Sequence, residues 1–142
     1  MASHYDEAMK CRVGTMSQEQ FDSECEPDSR ACFRSLMAAW TKAGGELKWG
    51  AGGVGLRGKI GGKEAGVCFV APQFAGKKDG IELACTTLMK QIGEARAKAL
   101  EVAIRAAAGE LALGKTMISV VRPGSLPAAK QRALTKAFTD LL

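Results

Sequence analysis

The stretch from residue 46 to residue 71 constrains the fold more than any other part of the chain, because its polar and apolar residues alternate around a pair of glycines. Alternation with a period of two is typical of strands that bury one face. Gly61 and Gly62 interrupt the alternation and are a strong signal for a two-residue hairpin turn. We therefore predict three successive antiparallel strands, at residues 46–49, 54–60 and 64–71.

The third of these strands is apolar on both faces over residues 67–71, which predicts a central position in the sheet. Pro72 is expected to end it, since proline cannot donate a hydrogen bond to a neighbouring strand. Residues 73–80 are predicted to form a polar loop. Alternation returns at residues 81–85 and predicts a fourth strand, and a β-branched run predicts a fifth at residues 116–121.

Three longer segments have helical features. Residues 27–43 carry apolar side chains at steps of three and four, and the two glycines that follow end the pattern. Residues 94–108 are rich in alanine, which favours a helix up to Gly109. A last helix is predicted after the turn at residues 123–124, with Ser125 as its cap and an apolar stripe near the end of the chain.

Two shorter helices and a terminal strand complete the prediction. Ser17 and Gln20 have the spacing of a capping box, which predicts a short helix through Glu24. Another short helix is predicted from Thr86. Met9, Cys11 and Val13 alternate with basic residues, so we expect residues 1–16 to be mobile or to form a peripheral strand.

This order of elements predicts an α+β fold. Successive strands joined by hairpins and flanked by helices favour an antiparallel sheet covered on one face. We expect about four to five strands and three main helices in a two-layer sandwich. With 142 residues, the chain fits a single domain spanning residues 1–142.

The cysteine pattern indicates a reducing compartment. The chain has five cysteines, an odd number, and no two of them have the CxxC spacing of a zinc or redox motif. We find neither the pattern of a signal peptide nor an apolar run long enough to span a membrane. We therefore predict a cytoplasmic protein without a membrane partner.

Positive charge is concentrated in the larger, C-terminal part of the chain. The net charge is +5, composed of −3 for residues 1–41 and +8 for residues 42–142. An anionic ligand or a nucleic acid is therefore a candidate partner. The residues predicted to bind it lie on the hairpin and in the loop after it: Arg57, Lys59, Lys63, Lys77 and Lys78. Exposed lysines also protect strand edges against aggregation, which is the alternative explanation.

Residues 109–116 match the phosphate-loop string GxxxxGK followed by threonine. That motif requires a strand before the loop and a helix after it. Here a helix is predicted before the string and a strand after it. The match therefore does not predict a nucleotide site.

A second match is to GxGxxG, at Gly50, Gly52, Gly53 and Gly55. A dinucleotide site would need a helix after the string, but a strand is predicted there. We interpret the glycines as a hairpin or bulge in which they supply positive φ angles, and an anion-binding loop of backbone amides stays an alternative.

A third match follows the PD…ExK order of magnesium-dependent nucleases, at Asp28, Glu46 and Lys48. Asp28 is predicted to begin a helix that carries the chain roughly 20 Å away before Glu46. The single histidine, His4, lies near the N-terminus without an evident catalytic partner. We therefore predict no metal, no cofactor and no catalytic residues.

The sequence favours a non-enzymatic binding or interaction domain. Two alternatives stay open: an anion or nucleic-acid binder using the basic glycine-rich hairpin, and a phosphate- or metal-dependent enzyme. Self-association through a sheet edge is a further expectation.

Overall fold

The computed structural model describes residues 14–74 and 78–142. The helices are α1 (Gln18–Glu24), α2 (Pro27–Lys42), α3 (Cys85–Ile92), α4 (Glu94–Ala108) and α5 (Ala128–Thr139). The strands are β1 (Glu46–Trp49), β2 (Val54–Ile60), β3 (Lys63–Phe74), β4 (Lys78–Ala84), β5 (Ala112–Leu113) and β6 (Met117–Val121). Lys77, His4 and the predicted strand at residues 9–13 lie outside the described residues.

The strands form one antiparallel sheet in the order β1-β2-β3-β4-β6-β5. The predicted α+β class and the interior position of β3 are confirmed, as are the three main helices α2, α4 and α5. In the described part of the chain the sheet has six strands rather than four to five. The additional strand is β5, whose two residues pair with β6 at the edge of the sheet.

The two faces of the sheet differ in their cover. Alternate residues of the inner strands, such as Leu56, Ile81 and Val120, are fully buried together with side chains from all five helices. We call this the core face. The opposite side, the open face, carries the cross-strand row Phe69–Glu82–Ser119 and the exposed residues of β1 and β2.

Trp40 fixes α2 against the start of the sheet. Its ring is fully buried, and its indole N–H donates to the carbonyl oxygens of Glu46 at 3.1 Å and Arg57 at 3.0 Å. A Cβ on Gly45 would lie 2.3 Å from the indole nitrogen, so this close approach requires glycine. The buried donor is thus satisfied by β1 and β2 together.

The prediction that Pro72 ends the third strand is wrong, and the predicted loop at residues 73–80 is too long, because residues 73–74 and 78–80 belong to strands and residues 75–77 lie outside the described residues. β3 continues to Phe74, and β4 begins at Lys78. The register between the two strands is irregular between Ala71 and Phe74. Proline is tolerated at such a bulge because no ladder hydrogen bond from its nitrogen is needed there.

Two predictions about helix starts have different outcomes. Ser17 caps α1 as predicted, since its hydroxyl accepts from the Gln20 N–H at 3.1 Å. Ser125 does not cap α5, because the N-cap position is Pro127. The Ser125 hydroxyl instead donates to the Arg122 carbonyl at 2.7 Å and closes the turn before the helix.

Candidate ligand-binding cleft

A cleft opens on the open face where β3 and β4 separate. The two strands pair from Phe74 to Phe69, whose partner is Glu82. Before Phe69, β3 pairs only with β2, through a bulge next to Leu56, and after Ala84 the chain turns into α3. The space between the separating strands has a volume of about 320 Å³. The residues that define this β3–β4 cleft are Gly66, Cys68, Phe69, Glu82, Thr87 and Met117.

Helix α3 holds the cleft open. Its Leu88 and Ile92 are buried in the core, which fixes the helix beside β3. The Gly66 N–H lies beyond the end of β4 and has no strand partner on that side. The side-chain carbonyl of Gln91 accepts from it at 2.9 Å. A side chain of α3 therefore accepts the hydrogen bond that a carbonyl of β4 would accept if that strand extended further.

Aromatic and apolar side chains lie on both sides of the cleft. Phe69 and Phe74 make an edge-to-face contact with ring centroids 6.3 Å apart. Met117, on the other side of the cleft, is 47% exposed. Partly exposed apolar side chains around a concavity are typical of sites that accept an apolar ligand.

Glu82 is the carboxylate in this cleft. It lies between Phe69 and Ser119 in the cross-strand row and is half-buried. Within residues 14–74 and 78–142, no ion pair or hydrogen bond joins its side chain to another residue. Desolvation raises the pKa of Glu82 above its usual value, and no charged neighbour contributes to the shift.

The thiol of Cys68 also belongs to the cleft. Burial raises the pKa of Cys68 far above the range of an ordinary thiol. The group therefore stays protonated near neutral pH, and a protonated thiol is a weak nucleophile. Cys68 thus acts in the cleft as a small, polarizable apolar group.

The structure does not bring the four described members of the predicted basic set to one surface. Arg57 and Lys59 lie on the open face of β2, and Lys63 begins β3. Lys78 lies opposite Phe74, at the other end of β3. An extended strand of that length separates its ends by roughly 35 Å.

The basic residues of the hairpin also have acidic neighbours in register. Glu46 lies opposite Arg57, and Glu64 lies opposite Lys59. Opposite charges at such cross-strand positions attract each other. The hairpin is therefore less positive than its lysines and arginine alone suggest.

The glycine-rich segment between β1 and β2 is packed by the protein itself. Gly50, Gly52, Gly53 and Gly55 are absent from the described glycines that have positive φ, so the expectation that they supply positive φ is wrong. A Cβ on Gly53 would lie 2.2 Å from the Val70 carbonyl oxygen and 3.1 Å from the Phe69 ring. Glycine is needed here for close approach of two strands. An anion-binding nest of backbone amides alternates right-handed and left-handed residues. None of these four glycines is left-handed, so they do not form such a nest.

The other two motif matches, at residues 109–116 and at Asp28, Glu46 and Lys48, also lack the arrangement that their sites require. Lys115 is exposed in the turn before β6, after α4 and a short 3₁₀ turn, which is the order that the sequence predicted. Asp28 lies at the start of α2, whereas Glu46 and Lys48 lie on the edge strand β1. No group of three or more metal-ligating side chains is found in the described part of the chain.

A second polar cluster lies on the core face at the start of α2. Asp79 is 3% exposed, and the Arg122 Nε lies 4.0 Å from its Oδ2. Arg122 also donates to both Asp28 oxygens, at 3.1 and 3.2 Å. Desolvation raises the pKa of Asp79, while Ser29 and Arg122 act in the opposite direction. The cluster joins α2 to β4 and to the end of β6.

A larger groove, of about 480 Å³, lies between α2 and α5. Its charged residues are Arg132 and Lys136, both exposed. Lys136 already pairs with Asp140 at 2.7 Å, one turn along the same helix. The β3–β4 cleft is the better candidate because it combines rigid strands, aromatic rings and a carboxylate without a described partner.

Sequence reasoning missed the residues of this cleft. The sequence alone places Glu82 close to Asp79, but the two side chains lie on opposite faces of β4. Residues three apart in a strand point to opposite sides, so extending the predicted strand back to Lys78 would have separated them. No sequence signal marks the separation of β3 from β4.

Comparisons of the chain with protein-family models, with curated proteins and with solved structures give no significant match. Among the described residues, no helix combines the length and the apolar character that crossing a bilayer requires. A functional assignment therefore depends on the geometry of the chain itself.

Proposed function

We propose that this protein is a non-enzymatic binding domain whose ligand site is the β3–β4 cleft. The observation that carries the proposal is the separation of β3 from β4 after the Phe69–Glu82 pair, which opens a cavity of about 320 Å³. Small-molecule sites begin at roughly this size, are mostly apolar and contain few polar groups. We infer a small organic ligand with an apolar, ring-sized portion.

The chemistry of the cleft supports binding rather than turnover. Its thiol is held protonated by burial, and its carboxyl group lies between an aromatic ring and a serine hydroxyl in the cross-strand row. Phe69 and Glu82 are fixed by strand pairing, so the site is preformed. Preformed sites bind with a smaller loss of conformational entropy.

The test is an amide NMR titration with 2-phenylethanol, a neutral aromatic probe. We expect shifts centred on Gly66, Phe69 and Thr87. A Thr87→Trp substitution should fill the cleft and reduce the affinity at least about tenfold. Thr86→Trp is the matched control, because Thr86 is exposed on the same helix but does not line the cleft.

Shifts scattered over the whole surface, or equal binding by the two tryptophan variants, would exclude the cleft as the ligand site. A chemical-shift map of the free variants shows whether each one retains the fold. Loss of binding therefore cannot be confused with unfolding.

Anion or nucleic-acid binding stays the second candidate. Arg57, Lys59 and Lys48 share the open face on β1 and β2, which favours a contact with an anion there. Binding of a single-stranded oligonucleotide that weakens steeply with salt and with Arg57→Ala would support it. Lys78→Ala serves as the control, since Lys78 lies at the other end of β3.

Self-association through a sheet edge also remains a proposal. The edge strands β1 and β5 have four and two residues. Strands this short offer few backbone groups to a second copy.

A further inference from the structure

We propose that the ligand of the β3–β4 cleft carries a protonated amine that Glu82 binds through its carboxylate. This inference rests on the proposed function and specifies the chemical class of the ligand, a small aryl-alkyl amine. It commits to a free small molecule, because the cleft has the volume of a small-molecule site and lies between strands and a helix that fix its walls.

The surroundings of Glu82 carry this inference. Phe69 faces it from β3, Ser119 and Met117 from β6, and Thr87 from α3. None of these neighbours is charged. A carboxylate that is partly removed from water without a counter-charge loses solvation energy, and a cationic ligand would restore it.

Two basic residues of other strands lie on the same open face as Glu82. Arg57 lies on β2, with its Nη1 atom 3.0 Å from where a Gly66 Cβ would be. Lys48 lies on β1, in the row that continues through Gly55 to Phe69. These residues are two and three strands away from Glu82 in the sheet order. Neither is among the causes of the shifted pKa of Glu82.

The aromatic side of the cleft suits the same ligand. Phe69 is the in-register neighbour of Glu82, and Phe74 supports it edge to face. An aromatic face attracts a cation, and the ring also offers apolar contact to the body of the ligand. A carboxylate beside an aromatic ring thus matches an amine attached to an apolar group.

The experiment compares 2-phenylethylamine with 2-phenylethanol, which differ only in an ammonium against a hydroxyl group. We expect the amine to bind at least about tenfold more tightly at pH 7, as hydrogen bonds to charged groups usually allow. Glu82→Gln should remove this preference, so that the amine and the alcohol bind with similar affinity. Glu64→Gln is the control, an exposed carboxylate on the same sheet face that does not line the cleft.

The pH dependence gives an independent readout. The amine stays protonated below about pH 9, whereas Glu82 loses its charge as the pH falls through its raised pKa. The affinity for the amine should therefore fall over that range, and the affinity for the alcohol should not.

The outcomes separate the two proposals. If the alcohol binds in the cleft and the amine binds no better, or if Glu82→Gln keeps the preference, the inference about the amine is overturned and the binding site stands. If neither probe produces shifts at the cleft, both proposals fail.

Discussion

Replacing Gly53 by alanine tests why the segment between β1 and β2 needs glycine. The new Cβ would lie 2.2 Å from the Val70 carbonyl oxygen and 3.0 Å from the Ala71 Cα. Carbon and oxygen atoms normally stay about 3.3 Å apart, so β2 would have to move by roughly 1 Å. The obstructing atoms are backbone of an interior strand and cannot rotate away.

The magnitude follows from this overlap. Overpacking of this kind costs about 1–3 kcal/mol, and we expect the upper part of that range because the backbone must shift. Gly55→Ala is the matched control, since its Cβ would have ordinary contacts of 3.7 and 3.9 Å. It should leave the free energy of unfolding unchanged or raise it by up to about 1 kcal/mol, because alanine restricts the unfolded chain.

Urea unfolding followed by tryptophan fluorescence measures both variants, because Trp40 is fully buried in the folded protein. We expect the midpoint of Gly53→Ala to fall clearly below that of Gly55→Ala at similar slopes. Coincident midpoints would show that the steric explanation is mistaken. If instead the glycines bind an anion, phosphate should raise the midpoint of the unsubstituted protein.

Two further predictions concern ionisable groups. Because the pKa of Glu82 is raised in the folded state, its ionised form destabilises the fold above that pKa and has no such effect below its unfolded value of about 4.3. Glu82→Gln should therefore have a higher urea midpoint than the unsubstituted protein at pH 7, and the two midpoints should coincide at pH 3. A lower midpoint of Glu82→Gln at pH 7 would contradict the desolvation argument. Burial raises the pKa of Cys25 to about 12 and of Cys32 to about 11, and the four described cysteines are free thiols. Because only the thiolate reacts, a thiol reagent at pH 8 should label Cys32 roughly 100-fold more slowly in the folded than in the urea-unfolded protein. Peptide mass spectrometry measures the two rates. Equal rates, or a disulfide at Cys32, would refute the prediction.

The hairpin between β2 and β3 was predictable because its code is local. Gly61 and Gly62 have φ angles of 61° and 82°, the two left-handed residues that a two-residue turn of this kind requires. Beside the turn, over residues 54–60 and 64–67, the strands bury every second residue, so alternation and turn specify the same register. Agreement of two local signals makes such an element readable from the sequence.

Elements that depend on distant partners were not predictable in the same way. Pro72 lies within β3 because the register with β4 is irregular there, a property of the pair and not of either strand. β5 has only two residues, too few to show any periodicity, and exists because β6 offers it a free edge. The β3–β4 cleft belongs to this group, since it arises where two strands separate and a helix takes the next position.

The two carboxylates of β4 show how the fold distinguishes a structural charge from a candidate binding group. Asp79 is more deeply buried, but the chain provides Arg122 at 4.0 Å and the Ser29 side chain, and both oppose its desolvation. Glu82, on the other face of the same strand, receives no such partner from residues 14–74 or 78–142. The chain itself thus supplies a counter-charge that offsets part of the desolvation of Asp79, although the pKa of Asp79 is still raised. In the proposal above a cationic ligand supplies the counter-charge of Glu82, and substituting this residue therefore tests binding more directly than substituting Asp79 does.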